Sequence, residues 1–210
     1  MIPGFRAYLF DVDGTLLDSA LDICGAIQQV LSEVPLAGVS HEFLKGYIGR
    51  HLIDLFQNLF PSYTPEQIDG LILKYRSVYL LRKHAQTRLY PGVSEALARL
   101  PGRKATATTK GTPTTRLVLE QFGLISHFDH VQGTDGIPCK PAPDVLLASL
   151  AALSESPENC LMVGDSAADM EAGRRAGVKI CAVNYGYGKR EDLARWGPDY
   201  WVSDLRELST

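Results

Sequence analysis

The sequence predicts an α/β fold: a parallel β-sheet covered by helices on both faces and interrupted near its start by a bundle of helices. Three observations carry this expectation. From about residue 89 onward, apolar strand-like runs alternate with amphipathic helical stretches. An earlier run, 7–12, has the same strand texture and ends in the acidic segment Asp11-Val12-Asp13-Gly14-Thr15. Between the two, from Ser19 to about Arg88, the periodicity is helical and no strand stands out.

Each element has its own signal. Ser19 stands where it would cap a first helix, whose apolar positions Ile23, Ile27, Val30 and Val34 recur near every 3.6 residues. Ser40 caps a second helix, and Leu52, Ile53, Phe56, Leu59 and Phe60 outline a third. The fourth opens with Thr64-Pro65-Glu66-Gln67, which supplies an N-cap, a proline at the first helical position and a capping-box partner. Ile68, Leu71, Ile72, Tyr75, Val78 and Tyr79 then form one apolar stripe. After Tyr90-Pro91-Gly92, strands are expected over 104–108, 130–133, 160–164, 179–184 and 200–202. Helices fit between them over 93–100, 113–122, 143–153, 167–176 and 190–196. The expected organisation is a Rossmann-like core of residues 1–15 and 89–210, split by a helical-bundle cap of residues 16–88.

Composition removes several functional classes. The 210 residues are 45% hydrophobic and 21% charged, which describes a globular chain with a core rather than a disordered one. A net charge of −3 and the lack of any basic run leave no footprint for nucleic acid. No stretch approaches the ~18 apolar residues of a membrane span. The N-terminal stretch lacks the basic start and cleavage site of a signal peptide. Cys24, Cys139, Cys160 and Cys181 are scattered without metal-binding spacing, so the expectation is a reduced, cytoplasmic protein, monomer or homodimer.

Four segments follow candidate strands: Asp11-Val12-Asp13-Gly14-Thr15, Thr108-Thr109-Lys110, Cys139-Lys140-Pro141, and Gly164-Asp165-Ser166-Ala167-Ala168-Asp169. Strand ends of a doubly wound sheet converge on one crevice, which gathers two carboxylate pairs, a hydroxyl and a lysine around one volume. Packed carboxylates repel unless they take up protons or share a cation. Oxygen ligands without His or Cys select a hard ion, Mg²⁺. A lysine and backbone N–H groups beside it make a site for a phosphate dianion. One carboxylate then attacks phosphorus, and a second, two residues on, protonates the leaving alkoxide and activates water.

With these motifs in place, the chain resembles the haloacid dehalogenase-like superfamily, in particular its phosphoglycolate-phosphatase-like group with a helical cap. The likeness rests on DVDGTLLDS, the helical insertion, YPGV, CKPAPD and GDSAADMEAGRRAG in that order. The resemblance implies a Mg²⁺-dependent phosphatase acting on a small phosphorylated metabolite through an aspartyl-phosphate, phosphoglycolate being the first candidate. It implies Asp11 as nucleophile and Asp13 as general acid/base with its backbone carbonyl on the metal. Thr108 would hold a phosphoryl oxygen, Lys140 would neutralise nucleophile and phosphate, and Asp165 and Asp169 would hold or orient the metal. Many relatives read Asn-Lys-Pro after that threonine, whereas this chain reads Thr109-Lys110-Gly111. The Thr109 backbone N–H remains for phosphate. In the cap, Tyr47-Ile48-Gly49-Arg50 matches the loop that faces the site, with Arg50 toward substrate.

Other readings stand beside these. Asp18 and Ser19 read as helix-capping residues; Tyr185-Gly186-Tyr187-Gly188 follows an expected strand, which puts it at the border of the cleft, although turn geometry alone explains its glycines; and substrate contact by Lys110 is a minor alternative. His51 reads as structural, and the other histidines share no ligand spacing. A hexose-phosphate mutase of the β-phosphoglucomutase type resembles the same architecture. A phosphonoacetaldehyde hydrolase would need Lys45 as its cap lysine. A non-catalytic phospho-acceptor or binding domain is the alternative outside enzymes. A dinucleotide-binding protein lacks its glycine motif here.

Overall fold

The computed structural model describes residues 2–36 and 38–209. Met1, Ala37 and Thr210, which the expected core and cap include, lie outside the described residues. In chain order the first elements are β1 (Ala7–Phe10), β2 (Leu17–Asp18), α1 (Ala20–Leu31), α2 (His41–Lys45), α3 (Leu52–Leu59), α4 (Pro65–Leu81) and β3 (Arg88–Leu89). There follow α5 (Val93–Arg99), β4 (Arg103–Thr106), α6 (Thr112–Gln121), α7 (Asp144–Leu153), β5 (Cys160–Gly164), α8 (Ala167–Ala176), β6 (Lys179–Val183), α9 (Arg190–Ala194) and β7 (Tyr200–Val202).

Five strands form one parallel sheet in the order β4-β1-β5-β6-β7. All four residues of β1 are buried, as the central strand of a sheet covered on both faces requires. Its side chains alternate between two cores. Tyr8 and Phe10 pack with Val93 and Leu97 of α5 and Val118 and Leu119 of α6. Ala7 and Leu9 pack with α7 and α8 through Val145, Leu146, Met170 and Ala172. Because β4 lies on one side of β1 and β5 on the other, the chain reverses winding at β1. The crevice at that switch point, at the strand C-termini, is where such sheets bind ligands.

The helices α1 to α4 enclose a third core of their own, containing Ile27, Val30, Leu44, Leu55, Phe56, Ile68 and Ile72. The caps at Ser40 and Thr64 form as the sequence indicates. The Ser40 side chain accepts the Phe43 N–H, and Thr64 and Gln67 exchange both bonds of a capping box. His51 caps α3 through its ring nitrogen, a structural role.

Two strand expectations need correction. The run 130–133 forms no strand. It makes a single bridge from His130 to Ala105, and the hydroxyl of Thr106 bonds both the N–H and the carbonyl of Gln132 in place of a ladder. Conversely, β2 and β3 pair antiparallel where the chain leaves and re-enters the core, Leu17 opposite Leu89 and Asp18 opposite Arg88. Two-residue strands carry no periodicity for a sequence to display. Among the described residues, no helix is long and apolar enough to cross a membrane, and all four cysteines are free.

Candidate active site

The expected strand 7–12 stops at Phe10 because the Val12 carbonyl turns back to accept the N–H groups of Leu16 (2.9 Å) and Leu17 (3.0 Å). This tight loop sets Asp11 and Asp13 just past the strand end. Gly14 permits it twice over. Its φ of +91° lies in the region that disfavours side chains, and a Cβ there would fall 2.3 Å from Asp165 Oδ2. Thr15 Oγ1 donates to Asp165 Oδ1 at 3.0 Å, so the loop after β1 and the loop after β5 are directly joined.

Ser166 caps α8 and exchanges a capping box with Asp169. Asp169 Oδ2 thereby accepts from the Ser166 N–H (2.9 Å) and hydroxyl (2.7 Å), which leaves Oδ1 for the Lys140 ammonium. Lys140, though a lysine, has its side chain fully buried; its Nζ lies 3.0 Å from Asp11 Oδ1 and bonds Asp169 Oδ1. The Lys140 ammonium thus pairs with Asp11 and Asp169 together. Asp11, Asp165 and Asp169 each bring an oxygen within 4.8 Å of the others, and all three are buried.

Burial raises the pKa of Asp11 first; Lys140 pulls it down, and Asp169 and Asp13 push it up again, leaving it at about 6. Asp165 is pushed up to about 8, by burial and then by its neighbours Asp169 and Asp11. Burial alone would pull the Lys140 ammonium down, but Asp11 and Asp169 outweigh it and lift Lys140 above the ordinary lysine range. Three buried carboxylates around one lysine therefore hold more negative charge than the protein neutralises. An oxygen-only donor set of three buried carboxylates within 4.8 Å of one another fits a hard divalent cation.

The Asp13 carboxylate belongs to a different neighbourhood. Its Oδ1 accepts from Ser19 Oγ at 2.6 Å and its Oδ2 pairs with Lys110 Nζ at 3.1 Å. Lys110 also donates to the Tyr79 hydroxyl at 3.0 Å and lies 4.4 Å above that ring, which links α4 to the core. Ser19 is thus not the side-chain cap that its place before α1 indicates: it makes no capping bond. The Tyr187 hydroxyl takes over that duty, accepting the N–H groups of Ser19 (2.7 Å) and Ala20 (3.0 Å) while donating to Asp18 at 2.9 Å. The Tyr187 backbone N–H donates to Asp165 Oδ2 at 2.8 Å, so one residue serves both the first helix and the carboxylate cluster. The glycine before it reflects contact rather than turn geometry, since a Cβ on Gly186 would lie 2.2 Å from Asp165 Cβ.

Thr108 is buried beyond the end of β4, with its hydroxyl accepting the Lys110 N–H at 3.3 Å. Thr109 and Arg50 line a cavity that also reaches Asp13. Arg50 is exposed at that cavity, its guanidinium 5.3 Å above the Tyr47 ring. Sequence reasoning set aside Ser19, Lys110, Tyr79, Thr15 and Tyr187. The signal for Lys110 was its place in the Thr108-Thr109-Lys110 segment. For Tyr187 the signal was its place just after an expected strand, but its pairing with Ser19 had none, because partners 168 residues apart meet only in the fold.

A switch-point crevice, a buried lysine among carboxylates and a helical insertion define a class that comparison identifies. A family model for haloacid dehalogenase-like hydrolase matches residues 8–183, and the chain belongs to that family. It is 34% identical to a phosphoglycolate phosphatase of Aquifex aeolicus, over 97% of this chain and 94% of the relative. It is 32% identical to an N-acetylmuramic acid 6-phosphate phosphatase of Pseudomonas putida over the same shares. The structure of a haloacid dehalogenase-like family hydrolase from Streptococcus pneumoniae superposes with a TM-score of 0.88 at 26% identity, over 97% of this chain and 96% of that one. Within the family, the chain is a phosphoric monoester hydrolase.

Proposed function

We propose that the chain is a Mg²⁺-dependent phosphatase that releases phosphate from a small phosphorylated metabolite through an aspartyl-phosphate on Asp11. The observation that carries this reading is the fully buried Lys140 ammonium between Asp11 and Asp169, beside Asp165. A lysine with no solvent contact serves anions, and it keeps Asp11 ionised for attack on phosphorus. Asp11, Asp165 and Asp169, with the Asp13 carbonyl, would hold the cation. Once bound, Mg²⁺ supplies electrostatic stabilisation of the charge on the transferring phosphoryl oxygens.

The residues divide the work. An Asp11 oxygen forms the new bond to phosphorus as the bond to the leaving oxygen breaks, and Asp13 delivers its proton to that oxygen. Asp13, now a carboxylate, takes a proton from water as the water attacks the acyl-phosphate, restoring Asp11 and releasing phosphate. Ser19 and Lys110 hold Asp13 from both oxygens and so fix its direction. Thr108, the Thr109 backbone N–H and Lys140 bind the phosphoryl oxygens. The cap, residues 16–88, closes over the crevice to exclude water, with Arg50 toward the substrate. Reduced cysteines agree with a cytoplasmic setting.

Phosphoglycolate, the substrate in the names of several relatives, is the reference compound for assay. With Mg²⁺ supplied, the protein is expected to release phosphate, and Asp11→Asn to abolish turnover while the fold remains. EDTA should abolish turnover reversibly. Acid quenching during turnover should trap phosphate on the wild type and none on Asp11→Asn. Full activity in EDTA or in Asp11→Asn would end this reading.

A further inference from the structure

The bundle reaches Asp13 through one buried side chain. Tyr79 of α4 belongs to the bundle's own core and is 2% exposed. Its ring is held by two others: Tyr75 stacks on it at 5.6 Å between ring centres, and the His84 ring stands at 71° to it, 5.0 Å away. The turn that carries His84 is tied to α6, because the Lys83 carbonyl accepts from Gln121 Nε2 at 2.8 Å. A phenol hydroxyl buried in such a place costs free energy unless it is bonded. Among the described residues its one hydrogen bond is to the Lys110 ammonium, at 3.0 Å.

Lys110 is the joint between bundle and core. Its side chain is 10% exposed, and its Nζ pairs with Asp13 Oδ2 at 3.1 Å while Ser19 Oγ donates to Oδ1 at 2.6 Å. The two contacts differ in kind. An ammonium only donates, so Oδ2 stays an acceptor; a hydroxyl donates and accepts, so Ser19 can turn to follow a proton on Oδ1. The proton that Asp13 gives to the leaving oxygen, and later takes from water, is therefore carried on Oδ1, and Lys110 holds the carboxyl from its other oxygen. A lysine stem is flexible. The Tyr79 hydroxyl, with its ring 4.4 Å from Nζ, is what keeps this ammonium on Asp13 within the cavity that both residues line.

We propose that Tyr79 is a positioning residue for the acid/base chemistry of Asp13, acting from the bundle through Lys110. This rests on the phosphatase reading above and gives α4 a part in the proton transfers, beyond covering the crevice.

The test is Tyr79→Phe, which removes the hydroxyl and keeps the ring, assayed with Mg²⁺ on two esters. With phosphoglycolate, whose leaving oxygen needs the proton, kcat/KM should fall about tenfold, part of the roughly 10²–10⁴ that a positioned acid contributes. With p-nitrophenyl phosphate, whose leaving group departs without a proton, kcat/KM should hold at the wild-type value. On that ester kcat should fall and acid-quenched phosphoenzyme should accumulate, because Asp13 must still activate water. General damage to the fold or to Asp11 would lower kcat/KM on both esters alike. Lys110→Met should give the same pattern more strongly, and Tyr79→Phe should add nothing in that background. Wild-type constants in Tyr79→Phe, equal losses of kcat/KM on the two esters, or losses that add to those of Lys110→Met overturn the proposal and leave the phosphatase reading intact. If only one ester is turned over, additivity on that ester decides. A wild type that hydrolyses neither overturns both.

Discussion

Replacing Gly186 by alanine tests whether the loop after β6 sets the carboxylate cluster. An alanine Cβ at this position would lie 2.2 Å from Asp165 Cβ and 2.6 Å from its Cγ. Carbon atoms settle at about 3.5–4 Å, so something must retreat by more than about 1 Å. The backbone at 186 is not left-handed, so alanine introduces no torsional strain of its own and the whole effect is steric. If the loop retreats, the 2.8 Å bond from the Tyr187 N–H to Asp165 breaks and the Tyr187 hydroxyl leaves α1. If Asp165 retreats instead, it leaves Thr15 and the other two carboxylates. Either way the cluster is displaced by a distance that costs on the order of 10²-fold in rate. Overpacking should also cost about 1–3 kcal/mol of stability. The assay is phosphate release as a function of Mg²⁺, with thermal melts in parallel. Gly70→Ala is the control. It lies within α4 with nothing inside 4 Å of an added Cβ, and should gain up to about 1 kcal/mol without altering activity. Gly186→Ala with wild-type kcat and an unchanged Mg²⁺ requirement would refute the reasoning.

Two further outcomes follow from the same geometry. Tyr187→Phe removes the acceptor for the Ser19 and Ala20 N–H groups, and the freed helix donors should draw the Ser19 hydroxyl away from Asp13. We expect kcat to fall about tenfold and Ser19→Ala to add little in that background; fully additive losses would count against the coupling. In EDTA, thermal stability should fall as pH rises. Asp11 and Asp165 hold protons more tightly folded, to about 6 and about 8, than in the unfolded chain, so the folded state binds the extra protons from the ordinary carboxylate range up to about pH 8. Each group's limiting slope is about 1.4 kcal/mol per pH unit. A melting midpoint that rises between pH 5 and 8 would contradict this.

Much of the architecture is legible in the order of residues along the chain. The run 160–164 and the helix 167–176 fall at their expected bounds. The Thr64–Gln67 capping box and the Ser40 cap form as expected, because such signals depend on residues three or four apart. Asp11, Asp165 and Asp169 meet around one volume because each follows a strand end of a sheet that reverses winding, and Lys140 reaches them from the loop before α7. The strand expected over 130–133 is missing because the Thr106 side chain satisfies its backbone. The strands β2 and β3, where the chain leaves and re-enters the core, are too short to carry a pattern.

Local spacing along the chain was enough to specify the five strands of the parallel sheet, the helices around them and which carboxylates lead out of the sheet, but not the β2–β3 pair. The three-dimensional fold alone decided who partners whom. Ser19 turned from its helix to Asp13 because Tyr187, 168 residues away, supplies the oxygen its helix needs. Lys110 found Asp13 and Tyr79 together, beside a cavity that both the bundle and the core line. A hydroxyl or ammonium bonds whichever acceptor packing brings within about 3 Å, and that choice depends on distances no periodicity encodes.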